Sequence, residues 1–342
     1  MAKKLNWGVI TTGWIARKFA VDLQQSDTGH LAAVGARELA DAQKFAADFG
    51  GTKAHGSYQG VLDDPTVEPV YIGTPHPWHA EWAIKAAQAG KHILCEKPLT
   101  LRLADTHRVV AAAKQHKVLL MEAFMYRFHP QTRKVVELVQ SGAIGDLQLI
   151  RASFNVLCPF NPEHRMFKKS LGGGAILDLG CYPVSYARHI AGAAQGAEFA
   201  EPVKFHGTGR VNPLTGTDEF ATAVAEFPGG IVGELSCGST WLNDNAVAIH
   251  GSTGWIEVPN PFTPGLAGQT ERIVLHRRGA APEEIVIPSP NRGLYAYEAD
   301  AVAAAVARGE HEVPLATWAD TIGNARVLET WLEAAGVRYD GV

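Results

Sequence analysis

Short apolar runs alternate with segments of helical periodicity over the first 125 residues, and this alternation constrains the fold more than any other feature. Two of the helical segments end at glycines, Gly50 and Gly90. Strands that alternate with helices of this length form right-handed βαβ units. We therefore predict an α/β protein whose N-terminal part is a doubly wound parallel sheet. The apolar runs lie at 5–10, 31–36, 69–74, 92–97 and 118–124.

The second half of the chain consists of consecutive strand-like runs joined by turn signals, which predicts a C-terminal α+β domain with a large, mostly antiparallel open sheet. Two helical patterns, 294–307 and 318–335, follow, and we expect them to pack back on the first domain or on one edge of the sheet. Because 342 residues exceed what one core usually supports, we expect domains at 1–125 and 126–342. The strand-like runs lie at 147–157, 203–211, 219–227, 231–241, 246–251, 255–259 and 272–276.

Composition and charge exclude several classes of function. A formal net charge of -4 gives no basic field for a polyanion, so nucleic acid binding is not expected. No uncharged apolar stretch of about 18 residues occurs, so no membrane-spanning helix is expected. The four cysteines are far apart and lack the spacing of disulfide pairs or zinc ligands. We therefore predict a cytoplasmic protein with free thiols and no metal site.

The strand-like run 219–227 (EFATAVAEF) carries apolar side chains on both of its faces. Helices on one face of an antiparallel sheet leave the other face open, and a second copy of the chain can bury it. We expect a homodimer formed through the C-terminal sheet, with coverage of that face by loops as the alternative.

A turn of the form that binds dinucleotides follows the first predicted strand. In the fingerprint G-x-G-x-x-G/A, the three key positions are Thr11, Gly13 and Ala16 here, so the first glycine is missing. The order of strand, turn and helix nevertheless fits, and Gly13 would let the backbone approach a pyrophosphate at the helix N-terminus. An ordinary tight turn is the alternative.

The end of the second strand bears on the choice between NAD and NADP. An NAD-specific chain usually places Asp or Glu there for the ribose 2′-hydroxyl, whereas this sequence has Arg37 followed by Glu38. An arginine at this point can pair with a 2′-phosphate, which favours NADP(H) over NAD(H). Glu38 could still serve the NAD role if it pointed inward, and a solvated Arg–Glu pair is the other alternative.

Two further segments follow predicted strands at the carboxyl edge of the sheet, where ligands bind in such folds. In 74–79 (TPHPWH), His79 can contact a ligand or cap the next helix. In 95–100 (CEKPLT), Lys97 precedes a proline and is therefore held extended, so that it projects from the strand tip while Glu96 faces the opposite way. A solvated surface lysine is an equally open interpretation.

The segment 172–190 (GGGAILDLGCYPVSYARHI) is the most unusual in the chain. Asp178 and Tyr182 are four residues apart, which places both on one face of a helix. A tyrosine needs a nearby cation to act as a base at neutral pH, and Lys97 could be that cation. The alternative is that Tyr182 packs in a core and Asp178 caps a neighbouring segment.

These segments together resemble the glucose–fructose oxidoreductase/inositol dehydrogenase (Gfo/Idh/MocA) family over nearly the whole chain. The resemblance is carried by 89–100 (AGKHILCEKPLT), 121–130 (MEAFMYRFHP), 141–154 (SGAIGDLQLIRASF) and 172–184 (GGGAILDLGCYPV). Tyr182 stands where most members have histidine. That departure is similar to the branch of dimeric dihydrodiol dehydrogenases and NADP-dependent D-xylose dehydrogenases.

The resemblance implies a role for each matching residue. Lys97, Asp178 and Tyr182 are the implied catalytic residues, with Tyr182 as general acid/base. Substrate contacts are implied for Lys97, Tyr182, Arg127, Phe154 and Arg165. Met125 stands where dihydrodiol dehydrogenases tend to have tryptophan, which argues against an aromatic substrate. We expect cofactor contacts from Thr11, Thr12, Gly13, Trp14, Ile15, Arg37, Thr74, Pro75, His79, Glu96 and Lys97.

We therefore predict an NADP-dependent oxidoreductase that transfers hydride between nicotinamide and a carbon of a sugar or polyol, with an aldose such as D-xylose as the expected substrate. Three alternatives remain open: a sugar-carbonyl reductase of the 1,5-anhydrofructose type, a trans-dihydrodiol dehydrogenase, and a sensor that binds NADP without catalysis. A sensor has no reason to retain Lys97, Asp178 and Tyr182 together.

Overall fold

The computed structural model describes residues 4–266, 269–288 and 292–339. The chain forms two compact units. The first unit comprises Met1–Phe128 and Pro290–Ile322, and the second comprises His129–Ser289 and Gly323–Val342. The stretch from Pro290 to Ile322 therefore belongs with the N-terminal part of the chain. Among the described residues, no helix has the length and apolar character needed to cross a membrane.

The first unit contains a six-stranded sheet whose neighbouring strands are all parallel, in the order β3-β2-β1-β4-β5-β6. This is the strand order of doubly wound dinucleotide-binding sheets. The central strand β4 is buried at every position because helices cover both faces of a parallel sheet. The predicted doubly wound sheet is confirmed. Its strands are β1 (Leu5–Ile10), β2 (Gly29–Gly35), β3 (Lys53–His55), β4 (Pro69–Ile72), β5 (His92–Glu96) and β6 (Leu120–Ala123).

The helices of the first unit connect these strands and cover the sheet. Each presents an apolar stripe, such as Phe19, Ala20 and Leu23 on the first of them. The late helix α8 joins this unit, and its Tyr295 N–H donates to the Asp22 carboxylate of the first helix at 3.1 Å. The helices are α1 (Trp14–Leu23), α2 (Leu39–Ala47), α3 (Tyr58–Asp63), α4 (His79–Gln88), α5 (Leu103–His116) and α8 (Leu294–Ala307).

The second unit is built on an eight-stranded sheet in the order β14-β13-β12-β11-β7-β10-β9-β8. Only the pair β7–β10 is parallel, and the other neighbours are antiparallel, so the prediction of a mostly antiparallel sheet is confirmed. The strands are β7 (Leu147–Asn155), β8 (Lys204–Val211), β9 (Asp218–Glu226), β10 (Val232–Gly238), β11 (Val247–Gly251), β12 (Gly254–Val258), β13 (Glu271–Arg277) and β14 (Glu283–Ile287).

Burial alternates along the strands of this sheet. In β9, Ala221, Ala223 and Ala225 are buried, whereas Phe220 and Val224 are exposed. The buried face packs against a π-helical turn (Ile176–Gly180) that continues into α7 (Cys181–Ala193), every residue of which is buried. The unit also contains α6 (Pro130–Gln140), and helix α9 (Trp318–Ala335) begins in the first unit and continues in the second.

Candidate functional site

The predicted site residues fall in both units. In the first unit, the fingerprint turn joins β1 to α1. Thr11 takes a positive φ of 89° where the first fingerprint glycine would stand, and its N–H donates to the Gly35 carbonyl at 3.0 Å. The turn therefore keeps the conformation that a glycine would adopt without strain. Gly13 forms the N-cap of α1, and no side chain caps this helix, so the N-terminal N–H groups remain available to an anion.

The other residues of the turn lie at the start of the same helix. Trp14 is largely exposed and begins α1, while Thr12 and Ile15 are partly exposed. A side-chain carbon added at Gly13 would have only the Thr11 hydroxyl within 4 Å. The backbone here is thus open enough for a pyrophosphate to approach it, as the fingerprint requires.

Two charged residues follow β2 at the same edge of the sheet. Ala36 is buried, and Arg37 and Glu38 are both exposed. Glu38 occupies the N-cap position of α2, where a negative charge is stabilised by the helix dipole. The Glu38 side chain makes no capping hydrogen bond, and pairing of Arg37 with a 2′-phosphate stays a prediction.

The segment after β4 contains a buried hydroxyl that fits a ligand contact. Thr74 is buried, and its Oγ1 makes no hydrogen bond to any described residue. A buried hydroxyl without a partner is costly, so a bound ligand that hydrogen-bonds to it would gain affinity. Pro75 follows and caps the short helix that leads into α4. Thr74 and the fingerprint turn both follow strands at the carboxyl edge of the sheet, and cofactor contacts from them stay a prediction.

His79 is fully buried and joins two loops at this edge. Its Nε2 lies 2.7 Å from the Thr74 carbonyl oxygen and its Nδ1 lies 2.9 Å from the Pro98 carbonyl oxygen. Burial, together with the nearby His76, lowers the pKa of His79 to about 4, so the ring is neutral at physiological pH. A neutral ring donates only one of these two bonds. Because both ring nitrogens lie against loop carbonyls, one as the donor of a hydrogen bond, His79 packs between the loops that carry Thr74 and Pro98, and this geometry favours positioning over direct contact with a cofactor.

Lys97 directly follows β5 and is partly exposed. The preceding Glu96 is buried, and its carboxylate accepts hydrogen bonds from the Tyr71 hydroxyl at 2.5 Å and from the Lys97 backbone N–H at 3.2 Å. The peptide bond between Lys97 and Pro98 is cis. The Glu96 carboxylate is therefore held inside the first unit by the Tyr71 hydroxyl and by the Lys97 N–H.

Arg127 is buried inside the first unit, in the turn Met125–Phe128. Its guanidinium forms an ion pair with Asp320 and donates to the Leu315 carbonyl at 2.9 Å. These partners give it a structural role that the sequence motif did not indicate, and a contact with substrate stays a prediction.

In the second unit, Asp178 and Tyr182 lie on the π-helical turn and at the start of α7, rather than on one regular α-helix. Arg165 donates to the Asp178 carboxylate at 3.1 Å, so two of the predicted residues are in direct contact. The Arg165 side chain is about half exposed, while Asp178 is buried. The guanidinium thus compensates a carboxylate that has little contact with water.

Tyr182 is buried against aromatic rings. The Phe154 ring packs edge-on against it, with 5.1 Å between centroids, and the Phe262 ring lies 5.6 Å away. Phe154 was predicted, whereas Phe262 was not, because it lies 80 residues further along the chain in a loop with no motif. These rings fix the orientation of the phenol, which a positioned acid/base requires.

Over residues 4–266, 269–288 and 292–339, no group of three or more His, Cys, Asp or Glu side chains could hold a metal ion. All four cysteines are free thiols, and Cys95, Cys181 and Cys237 are buried.

Comparison with protein families gives two matches that cover most of the chain. Residues 5–124 match the GFO/IDH/MocA model described as an oxidoreductase family with an NAD-binding Rossmann fold. Residues 132–257 match the GFO/IDH/MocA C-terminal domain. The two matches correspond to the parallel sheet and to the first part of the antiparallel sheet.

Individual relatives extend over nearly the full length. Trans-1,2-dihydrobenzene-1,2-diol dehydrogenase from Mus musculus is 33% identical and covers 98% of both chains. The Homo sapiens protein of the same name is 32% identical over 98% of both chains. A solved structure of a 3-ketoreductase from Actinomadura kijaniata, in complex with NADP and TDP-benzene, shares 30% identity with a TM-score of 0.86, covering 97% of this chain and 98% of that one.

Proposed function

Because this chain belongs to the GFO/IDH/MocA oxidoreductase family and folds its N-terminal part as an NAD(P)-binding Rossmann domain, we propose that it is an NADP-dependent oxidoreductase of a sugar or polyol hydroxyl. The observation that carries this proposal is the carboxyl edge of the first unit's sheet. There a glycine-like turn, an uncapped helix N-terminus, the unpartnered Thr74 hydroxyl and exposed Arg37 all suit one dinucleotide.

Arg37 supports the choice of NADP. A 2′-phosphate offers the guanidinium charge-assisted hydrogen bonds that a 2′-hydroxyl cannot match. The Actinomadura ketoreductase was solved with NADP, which agrees with this choice. Backbone N–H groups at the start of α1 would hold the pyrophosphate, and Thr74 would contact the nucleotide.

The bound nicotinamide would accept or supply a hydride at the carbon that bears the reacting oxygen. In the proposed roles, which the family resemblance implies, Tyr182 takes the proton of the substrate hydroxyl and Lys97 stabilises developing alkoxide charge on the substrate. Asp178 orients Tyr182 and is itself fixed by Arg165. Phe154 packs against the tyrosine and borders the substrate.

A test of these roles needs variants that keep the packing. Tyr182→Phe retains the ring that packs on Phe154, and Lys97→Met retains the length of the side chain. Each is expected to lower kcat about 100-fold or more on an aldose or polyol, and Tyr182→Phe is expected to leave NADPH affinity nearly unchanged. If both variants folded normally and kept near-wild-type turnover, the proposed roles would be wrong.

A second candidate activity is the oxidation of a trans-dihydrodiol. The Mus musculus and Homo sapiens relatives that match over 98% of this chain carry that name. The rings of Phe154 and Phe262 beside Tyr182 provide an apolar surface in the second unit. A substrate panel that contains aldoses, polyols and a trans-dihydrodiol decides between the two, since the preferred class has the higher kcat/KM.

We further propose that a second copy covers the open face of the second unit's sheet. This face exposes Phe220 and Val224, and it carries a row of stacked rings in which Trp255 lies between His250 and His276. Two copies related by a twofold axis place the same apolar side chains against each other.

A further inference from the structure

The glycine run that precedes Asp178 is held by a buried carboxylate from another strand. Asp218, the first residue of β9, is completely buried. Its Oδ2 accepts the backbone N–H of Ile176 at 2.6 Å. Ile176 is the first residue of the π-helical turn that contains Asp178 and leads into Tyr182. The carboxylate therefore satisfies an N–H group that the start of a helix leaves without an intrahelical partner.

Gly174 shows how closely Asp218 approaches this turn. Its φ of +126° is one that a side chain would disfavour, and a side-chain carbon there would collide with Asp218 Oδ1. The same carbon would lie 2.8 Å from the Tyr339 hydroxyl oxygen, and that hydroxyl donates to the Gly173 carbonyl. Asp218 and Tyr339 thus both pack against Gly174 on the side where a side chain at that position would point.

The glycine run also contacts the loop that carries Arg165. Gly174 N–H donates to the Met166 carbonyl at 2.9 Å, and Gly173 N–H donates to the Lys168 carbonyl at 3.2 Å. Arg165 in turn donates to Asp178 at 3.1 Å. A shift of the glycine run would therefore move Asp178 directly, and it would also move the arginine that binds it.

We propose that Asp218 is a positioning residue of the reaction, which fixes Asp178 and Tyr182 by accepting the N–H groups at the start of the π-helical turn. This inference rests on the proposed acid/base role of Tyr182. Asp218 does not touch substrate in this proposal. It acts through the backbone of Ile176 and through the glycine run.

Burial of the Asp218 carboxyl lowers the stability of the fold, and its presence there agrees with a functional role. Burial raises the pKa of Asp218 to about 6, although hydrogen bonds from the Ile176 and Ala175 N–H groups partly offset the effect. An ionised carboxylate at neutral pH therefore lowers the stability of the fold. An apolar residue at position 218 would avoid this loss of stability. A buried aspartate there is expected where the geometry of a catalytic site matters more than stability.

The experiment compares Asp218→Ala and Asp218→Asn with a matched control, Glu219→Ala. Glu219 is the next residue of the same strand and is also buried, but its carboxylate binds Asn212 at 2.7 Å, away from the turn. We measure kcat, the KM for NADP and hydrogen exchange of the peptide that spans 174–182. Hydrogen exchange needs no turnover, so it tests the positioning even if the proposed reaction is not the right one.

Asp218→Ala is expected to lower kcat about 100-fold with the KM for NADP unchanged, and to speed exchange in 174–182. Asp218→Asn keeps an acceptor for Ile176 and is expected to restore kcat to within about threefold of wild type. Glu219→Ala is expected to leave both readouts unchanged. If wild type turns over no alcohol while exchange responds as expected, the proposed function fails and the positioning stands.

Three results would overturn the proposal. In the first, Asp218→Ala folds and changes neither kcat nor exchange. In the second, Asp218→Asn has a kcat as low as that of Asp218→Ala, so that a hydrogen-bond acceptor for the Ile176 N–H does not maintain activity. In the third, kcat and the KM for NADP worsen together with thermal stability, which indicates a structural role alone. If Asp218→Ala does not fold, Tyr339→Phe takes its place: a lower kcat with unchanged KM supports the proposal, and an unchanged kcat contradicts it.

Discussion

Replacement of Arg37 by alanine is expected to weaken NADPH binding much more than NADH binding. Arg37 is exposed at the end of β2 and has no ion-pair partner among the described residues, so it breaks no existing pair when it binds a phosphate. A charge-assisted hydrogen bond contributes about 1.5 to 3 kcal/mol. Its loss corresponds to a rise of about 10- to 150-fold in the Kd for NADPH, while the Kd for NADH should change less than about threefold.

Quenching of tryptophan fluorescence measures both dissociation constants on the same samples. Arg108→Ala is the matched control, because Arg108 is an exposed arginine of the same unit that pairs with Asp105 at 2.9 Å on α5. Arg108→Ala also removes one positive charge from the first unit, but from within helix α5 rather than from the end of a strand. An equal loss of NADPH and NADH affinity in Arg37→Ala would refute the pairing with a 2′-phosphate. An equal effect of Arg108→Ala on NADPH would show that only the overall charge of the unit matters.

Four further changes test other parts of the structure. Val224→Glu places a charge on the open face of the sheet and should convert a dimer into monomers by light scattering; an unchanged mass would refute that interface. His79→Ala removes the one hydrogen bond that the neutral ring donates to a buried loop carbonyl and should lower stability by about 1 to 3 kcal/mol, as measured by denaturant unfolding, with weaker NADPH binding; wild-type stability would contradict its positioning role. Arg165→Ala removes the ion pair between Arg165 and the buried Asp178 carboxylate and should lower kcat about tenfold or more; an unchanged kcat would remove Arg165 from the site. Burial raises the pKa of Glu122 to about 7, so the stability it contributes is present below about pH 4.5 and is lost as the pH rises through 7. Glu122→Gln should therefore raise stability at pH 8 by about 3 kcal/mol or less and flatten the pH dependence between 4.5 and 7; an unchanged slope would contradict this.

The fold was predictable wherever periodicity extends over many residues. The bounds of β1, α8 and α9 agree with the sequence patterns, because β1 is a continuous apolar run and α8 and α9 are long helical segments. Strand β3 has only three residues, and β14 is an edge strand that begins with two glutamates, so neither carries a clear apolar pattern. Helix α6 begins at a proline, which favours the first helical turn, and its N-cap is the His129 side chain rather than a common capping residue.

The site was predictable only where its residues lie close together in the chain. The spacing of Asp178 and Tyr182 indicated a shared location, although the turn between them is π-helical. Asp218 reaches the same turn from β9, 42 residues further along the chain from Ile176, and only the pairing of strands brings it there. The buried ion pair of Arg127 with Asp320 likewise depends on a residue 193 positions away. A local motif cannot show that a guanidinium already has such a partner.

The transfer of a substrate hydrogen to NADP+ tests the central claim most directly. A sugar or polyol that carries deuterium on the carbon of the reacting hydroxyl is incubated with NADP+ and the protein, and the NADPH formed is analysed by mass spectrometry. We predict that the NADPH gains one deuterium, and that Tyr182→Phe slows this transfer about 100-fold while it still binds NADPH. NADPH without deuterium, or equal rates for wild type and Tyr182→Phe, would contradict the account.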